Sequence, residues 1–510
     1  MFKFIDTFLN KITMYRLTLY YLGALVSAAV IYSFLGILPY SPVDIVFDTT
    51  IAITVCFVAN KVFAKFFGAV TNNESALITA LILVLIVPLK FPVNITFLIG
   101  AAGLAMLAKY LATVEKHHIF NPAAVSVAAF SLATDKVATW WIGTPVMLPF
   151  VLLGGLLVLR KIQRGSMVFS FLITVFLLLA GATLFHTGSL TSIFSAWQKS
   201  IFGSALFFFA FIMLTEPITS PTHKRLQQYY GVFVAFLYAT PQLRLLGFAI
   251  SPELALCGGN MFSYIVNPQY HLKLPLRLKK IIAPQTYLFS FSKPDDFHFA
   301  PGQYMEWTLP HKNVDSRGTR RYFSIASSPD EQDLLILLKY YTPPSSFKKT
   351  LVSMEQNQSV IASQLAGDFI LPKDTKKPLV FVAGGVGIAP FRSMVAQIIE
   401  KKQQRDIILF FANRHKEDIV FADLFEQAKL YGLKTIYTLT DIVAVPPDWS
   451  GEKGYITTQM LQKYIPDCQD RIFYLSGPQL MVERFKTTLE QMHIKKNHIV
   501  VDFFPGYSDT

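Results

Sequence analysis

The chain has 510 residues, 52% hydrophobic and 14% aromatic but only 15% charged, with a mean hydropathy of +0.41 and a formal net charge of +13. This excludes a disordered chain, a disulfide scaffold and a simple soluble enzyme. Residues 1–266 hold 16 Lys+Arg and 8 Asp+Glu, whereas residues 267–510 hold 30 and 25. A membrane part followed by a globular part is the first inference. The basic residues cluster beside apolar runs, as membrane insertion requires, so lipid is an expected partner and nucleic acid is not. Cys56, Cys257 and Cys468 are too far apart for a disulfide framework or a C-x2-C metal site. They cannot supply the four thiolates of a plant-type iron–sulfur cluster. No metal site is expected.

Met1–Asn10 is short and mixed, and no small-residue cleavage site follows the first apolar run, so no cleavable signal is expected. Apolar spans are expected at about 17–39, 43–64, 75–92, 93–113, 121–134, 142–159, 167–185, 201–215, 229–243 and 246–266. With ten spans and the N-terminus inside, the inner flanks carry Lys3, Lys11, Arg16, Lys61, Lys65, Lys109, Lys116, Arg160, Lys161, Arg164, Lys224 and Arg225. The outer flanks carry only Lys90, Lys136, Lys199 and Arg244. That bias is the one cytoplasmic loops show, and it puts both termini in the cytoplasm.

Two spans are short. One begins Ile119-Phe120-Asn121-Pro122-Ala123-Ala124, and the other ends Thr215-Glu216-Pro217-Ile218-Thr219-Ser220-Pro221-Thr222. Proline removes a backbone donor, and the freed carbonyls need partners or water. Paired Pro-interrupted segments in two halves point to a repeat-built site near the membrane centre; the alternative is two ordinary loop ends. Asp44 and Asp48, one turn apart, and Glu216 are the carboxylates noted within this part. They are either buried and functional or solvated at span ends.

The runs KHHIFNPAA, LLGGLLVLRKIQR and TEPITSPTHKRLQQYYG resemble the membrane subunits of the RnfD/NqrB family over most of residues 15–266. The resemblance implies ten helices in two inverted repeats and electron transport through flavin, linked in some relatives to Na⁺ or H⁺ movement. It also implies FMN, or riboflavin, in the membrane domain, with FMN attached to a Thr of a Ser/Thr-Gly-Ala-Thr motif. Ser131-Leu132-Ala133-Thr134 keeps three of the four positions and makes Thr134 the candidate for covalent FMN. Ala180-Gly181-Ala182-Thr183 keeps the last three but lies later. Haem is the competing idea and needs His pairs inside two helices. His117, His118, His186 and His223 all lie near span ends, so a haem-type ferric reductase ranks below the flavin reading.

From about Asn267 short alternating stretches begin. Leu272–Ser290, Gly302–Leu309, Arg317–Pro329 and Leu334–Tyr341 read as a small antiparallel barrel. After Lys376-Lys377-Pro378, strands at Leu379–Ala383, Ile407–Ala412, Lys434–Leu439 and Arg471–Leu475 are expected. They alternate with helices reaching Lys402 and at Ala422–Tyr431, Thr457–Tyr464 and Leu480–Met492, which makes a parallel sheet.

Three ordered motifs in this part resemble the ferredoxin–NADP reductases. Arg321-Tyr322-Phe323-Ser324-Ile325-Ala326-Ser327 is similar to their R-x-[YF]-[ST] flavin motif. Gly384-Gly385-Val386-Gly387-Ile388-Ala389-Pro390 is similar to their nucleotide loop, and Ser476-Gly477-Pro478-Gln479-Leu480-Met481 to their C-G-P-x-x-M motif. The resemblance covers about 268–510 and implies FAD and NAD(P)H as cofactors. Arg321 offers a planar fork suited to the flavin pyrophosphate, and Phe323 a flat apolar face for the ring; Tyr322 is grouped with them. By the same resemblance Ser324 lies near N5. Ser345 and Ser346 start a helix turn whose N-terminus favours phosphate. Gly384, Gly385 and Gly387 let backbone approach the dinucleotide, with Pro390 behind them, while Gly477, Pro478 and Met481 form the facing turn. Ser476 stands where the family has Cys; a hydroxyl can still hold the nicotinamide, with slower tuning expected. Ser324 and Ser476 are the expected catalytic pair. Arg414 could bind the adenosine 2′-phosphate, leaving NADH against NADPH open. Phe504 and Tyr507 offer aromatics for the other flavin face.

The expected architecture is a multi-pass α-helical membrane domain (1–266), an antiparallel FAD-binding β-barrel (267–376) and an α/β parallel-sheet NAD(P)-binding domain (377–510). The expected function is NAD(P)H oxidation through FAD, with electrons passed to a quinone, a flavin or a redox partner protein in the plasma membrane. A multi-subunit complex and coupled ion transport follow only from the resemblance. The alternative is a redox-regulated transporter with the reductase part as sensor.

Overall fold

The computed structural model describes residue 5 and residues 8–9, 12–67, 73–88, 94–111, 113–114, 117–134, 136–240, 244–245, 248–266, 270–315 and 317–502. Phe504 and Tyr507, and Lys3, Lys11, Lys90 and Lys116 of the charge pattern, lie outside the described residues. The chain divides into two compact units, Met1–Gln269 and Tyr270–Thr510.

The first unit is helical. Met14–Phe34 starts where Thr13 Oγ1 accepts from the Arg16 N–H, and Pro42–Phe66 starts behind Ser41 with proline in its first turn; both are favourable helix starts. These two and Gly165–Thr187 are long and apolar enough to cross a membrane. Shorter helices occupy Asn73–Ile86, Ile95–Leu111, Pro122–Thr134, Leu148–Ile162, Lys224–Ala239 and Pro252–Val266.

The expected single span at 201–215 is corrected. An unforeseen helix, Leu190–Gly203, meets Leu206–Met213 at a 67° bend, and Phe209–Met213 is a π-helical turn. Ser204 Oγ turns back to donate to Ser200 O at 2.6 Å and accepts from the Leu206 N–H at 3.3 Å. A Cβ at Gly143 would lie 2.3 Å from Ala205 N, so two backbones meet at the bend. The span expected at 246–266 is also shorter. Phe248–Ala249 is a strand, and the helix starts only at Pro252, behind Ser251.

The element order runs through the unit twice. Four helical segments, a two-stranded antiparallel ladder (β1, Thr113–Val114; β2, His117–His118) and the helix Pro122–Thr134 come first. Four more segments, counting the bent pair Leu190–Gly203 and Leu206–Met213 as one, then a second ladder (β3, Arg244–Leu245; β4, Phe248–Ala249) and the helix Pro252–Val266 follow among the described residues. Pro122 and Pro252 thus each open a helix directly after a two-stranded ladder. The Pro122 and Pro217 segments touch. Asn121 Nδ2 donates to Glu216 Oε2 at 2.8 Å, and Thr219 Oγ1 to the same oxygen at 3.0 Å. Asn260 accepts from the Asn121 N–H at 2.8 Å and donates to Thr219 O and Tyr230 OH. Backbone groups freed at the Pro-containing breaks are thus met by buried side chains.

Asp48 is buried while Asp44 is half-buried. Sequence reading overlooked Glu253, a buried carboxylate that accepts from Trp140 Nε1 at 2.6 Å.

The second unit begins with a six-stranded antiparallel sheet in the order β8-β7-β10-β5-β6-β9. Its strands are β5 (His271–Ala283), β6 (Thr286–Ser292), β7 (Tyr304–Thr308), β8 (Arg320–Ser324), β9 (Asp333–Lys339) and β10 (Ser359–Ala366). The run read as one stretch at 272–290 is a hairpin, β5–β6, and β10 was not foreseen. Leu274, Phe289, Phe291, Trp307, Ile336 and Val360 fill the interior.

A parallel sheet follows in the order β14-β13-β12-β11-β15-β16. It comprises β11 (Leu379–Gly384), β12 (Ile407–Asn413), β13 (Leu433–Leu439), β14 (Glu452–Lys453), β15 (Ile472–Ser476) and β16 (Ile499–Val501). β11 is buried along its whole length, as a central parallel strand must be. The chain order reverses at β11, between β12 and β15, so a crevice opens at the C-terminal ends of β11 and β15.

Candidate functional site

Three chain segments converge at that crevice. Ser324 ends β8, Ser476 ends β15, and Asp502 follows β16. Asp502 Oδ2 accepts from Ser324 Oγ at 3.2 Å and from Ser476 Oγ at 3.0 Å. Its other oxygen, Oδ1, is buried without a partner among the described residues. Burial pushes the Asp502 carboxyl up to about 7, against the opposing pull of the two serine hydroxyls. A proton-bearing carboxyl with an open oxygen can give or take a proton at neutral pH. Sequence reading paired the serines but missed Asp502; the only signal was a lone carboxylate directly after the apolar Ile499-Val500-Val501.

The glycine turns meet at the same place. A Cβ on Gly387 would fall 2.5 Å from Gly477 N and Cα, so the turns after β11 and β15 touch through bare backbone. A Cβ on Gly384 would lie 2.5 Å from Met481 Sδ and 3.1 Å from Pro478 Cδ. Gly385 has φ +52 with open space at its Cβ position. Pro390 is buried in the first turn of the helix Ala389–Glu400. Asn413, at the end of β12, is buried with neither carboxamide atom partnered among the described residues. Arg414 is exposed, with Nε 3.8 Å from Asp441 Oδ2.

In the barrel, Arg321 and Phe323 share one side of β8. The guanidinium lies 5.3 Å over the Phe347 ring, and the Phe323 ring is 6.1 Å from it. Arg321 NH1 donates to the carbonyls of Arg317, Gly318 and Arg320. Tyr322 points to the other side, as strand alternation requires. Its hydroxyl donates to Glu306 Oε2 at 2.9 Å, and its ring packs edge-on against Tyr304. Tyr322 thus stands on the face of β8 opposite to Arg321 and Phe323. Ser345 caps the helix Ser346–Ser353 by accepting from the Lys348 N–H, and the Ser346 N–H is taken by Asp315. Thr134 is exposed and donates to Phe130 O, within its own helix.

The residues present fit two cofactors. Among the described residues, Asp502 Oδ1 and the Asn413 carboxamide are buried polar groups without partners, which is costly unless a ligand meets them. The cradle at Gly384, Gly387 and Gly477 is one that side chains would fill. Among the described residues no group of three His, Cys, Asp or Glu could hold a metal ion.

Residues 381–487 match the family model of the oxidoreductase NAD-binding domain. The C-terminal unit therefore carries an NAD-binding domain of oxidoreductase type. The chain is 28% identical over 243 residues to a flavohemoprotein of Bacillus cereus (strain ATCC 10987 / NRS 248), covering 44% of this chain and 59% of that protein. It is 26% identical over 233 residues to one component of the Na(+)-translocating NADH-quinone reductase of Haemophilus influenzae (strain 86-028NP), covering 42% and 55%. The chain thus spans less than two thirds of the length of these relatives. Among solved structures, the Amycolatopsis cytochrome P450 reductase GcoB is similar at TM-score 0.42 and 23% identity, over 46% of this chain and 70% of that one.

Proposed function

We propose that the chain is a membrane-bound NAD(P)H oxidoreductase: NAD(P)H is oxidised at FAD in the second unit, and electrons go on to a membrane acceptor, a quinone, a flavin or a redox partner protein. The observation that carries this reading is the single Asp502 oxygen shared by Ser324, from the flavin motif, and Ser476, from the nucleotide motif. When bound, FAD supplies a hydride acceptor that can release electrons one at a time. Arg321 and the first turn of Ser346–Ser353 hold the diphosphate, and Phe323 faces the ring. Ser324 and Ser476 orient the reacting edges. Asp502 fixes both hydroxyls and keeps a proton beside them. Gly384, Gly387, Gly477, Pro478 and Met481 form the dinucleotide cradle, with Asn413 and Arg414 towards the adenosine end.

The first unit is read as an RnfD/NqrB-like membrane domain of ten spans in two inverted repeats, with both termini cytoplasmic. The twice-run element order supports the repeat, and the three long apolar helices support insertion. Na⁺ or H⁺ movement, an FMN at Thr134 and a multi-subunit assembly belong to the same reading. The contact of half-buried Glu216 with buried Asn121, which Asn260 also holds, favours a second reading, a transporter regulated by the redox state of the other unit. Purified protein in detergent tests the choice. Bleaching of FAD by NADH or NADPH, followed by reoxidation with added quinone, supports the enzyme. Bleaching without quinone turnover, together with solute uptake into vesicles, supports the transporter.

A further inference from the structure

We propose that Asp315 is the positioning residue for the flavin diphosphate, because it ties the loop that carries Arg321 to the helix start that faces it. The proposal deepens the flavin reading above and rests on it. Asp315 and Ser346 hold each other by two reciprocal bonds. The Ser346 N–H donates to Asp315 Oδ2 at 2.8 Å, and the Asp315 N–H donates to Ser346 Oγ at 3.0 Å. His311 Nε2 lies 2.9 Å from the same hydroxyl, while Nδ1 is 2.8 Å from Leu309 O. This fixes the helix Ser346–Ser353 against the loop.

The same carboxylate organises the loop itself. Arg317 donates to Asp315 from its N–H at 2.9 Å, from Nε at 3.2 Å and from NH2 at 3.0 Å. The carbonyls of Arg317, Gly318 and Arg320 then accept from Arg321 NH1 at 2.8, 3.3 and 2.6 Å. One side chain thus sets the distance between the two groups that would hold a diphosphate, a guanidinium fork and a helix N-terminus. The Arg317 guanidinium offsets the carboxylate's charge, so the carboxylate need not repel an incoming anion. Burial works to raise the Asp315 carboxyl, but the Ser346 and Arg317 N–H groups and the Arg317 guanidinium outweigh it and hold it below the usual carboxylate range. The tie therefore persists across neutral pH. A carboxylate that merely caps a helix would not need the loop's arginine or a histidine on the same serine.

The isoalloxazine end of the site, at Ser324 and Asp502, makes none of these hydrogen bonds, which gives a test that a general loss of stability would not pass. Binding of FAD, FMN and riboflavin to the full chain in detergent is measured by flavin fluorescence, for the wild type and Asp315→Asn. The expected result is that FAD and FMN bind at least tenfold more weakly while riboflavin changes less than twofold. Equal weakening of all three, or no change in any, overturns the proposal while leaving the flavin reading intact. A wild-type chain that binds none of the three overturns both. Should Asp315→Asn fail to fold, Arg317→Gln keeps the bond to Ser346 and must show the same split between phosphorylated and unphosphorylated flavin; equal effects on the three flavins overturn the proposal.

Discussion

Asp502 Oδ2 lies 3.2 Å from Ser324 Oγ although the two residues are 178 positions apart. The same oxygen is 3.0 Å from Ser476 Oγ. One buried carboxyl therefore joins the antiparallel sheet to the parallel sheet, at the place where the proposed function has hydride pass, and its proton has consequences for stability and, on that proposal, for catalysis.

The first consequence is a pH dependence. With its carboxyl pushed up to about 7 by burial, folded Asp502 keeps a proton that the unfolded chain releases near its ordinary value of about 4. The folded state then binds more protons across that window, so stability is greatest below about pH 4 for this group and falls as pH rises through about 7. The loss is on the order of 4 kcal/mol. Melting of the flavin-free protein should show this downward slope, and Asp502→Asn should remove it.

A second consequence is kinetic. On the proposed function, Ser476→Ala deletes the hydroxyl that would orient the nicotinamide while leaving Arg321 and Phe323 in place. Flavin content should stay at the wild-type level, and stopped-flow flavin reduction should slow by roughly 10–100-fold. Loss of flavin together with rate would show instead that Ser476 supports the barrel.

Gly387 gives a steric prediction. A methyl group there would sit 2.5 Å from Gly477 and from Ser476 O, all backbone atoms that cannot swing aside. Gly387→Ala should force the turns apart at a cost of about 1–3 kcal/mol and raise the KM for NAD(P)H by at least tenfold. An unchanged KM with an unchanged melting temperature would contradict the geometry.

In the helical unit, Asn260 is fully buried and meets the Asn121 N–H, Thr219 O and Tyr230 OH. Asn260→Ala leaves those partners unmet, at about 1–3 kcal/mol for each buried group. Thermal aggregation in detergent should begin at lower temperature, while flavin reduction by NAD(P)H, confined to the other unit, stays within twofold of wild type.

The sequence was most legible where chemistry demands particular residues in a local run. Arg321–Ser324, Gly384–Pro390 and Ser476–Met481 each lie within a few positions, and the structure brings all three runs to one side of the second unit. What escaped depends on distant contact. Asp502 acquires its role only because β16 lands beside β15, and Asp315 only because its loop reaches Ser346. β10 was hidden because Val360, Ala362, Ser363, Gln364 and Ala366 are all buried, which blurs the two-residue alternation that marks a strand. In the first unit, the matching places of Pro122 and Pro252 lie in the order of elements rather than in matching residues, so the sequence did not show them. The bend at Ser204 escaped because Leu206–Leu214 is continuously apolar and carries no break signal of its own. Phe504 and Tyr507 lie outside the described residues.

The most direct test of the central claim is anaerobic titration of the FAD-reconstituted full chain in detergent with NADH and, separately, NADPH, followed by flavin absorbance. The account predicts stoichiometric bleaching by at least one of the two nucleotides, slowed in Ser476→Ala. A chain that takes up no FAD, or whose bound FAD neither nucleotide reduces, would contradict it.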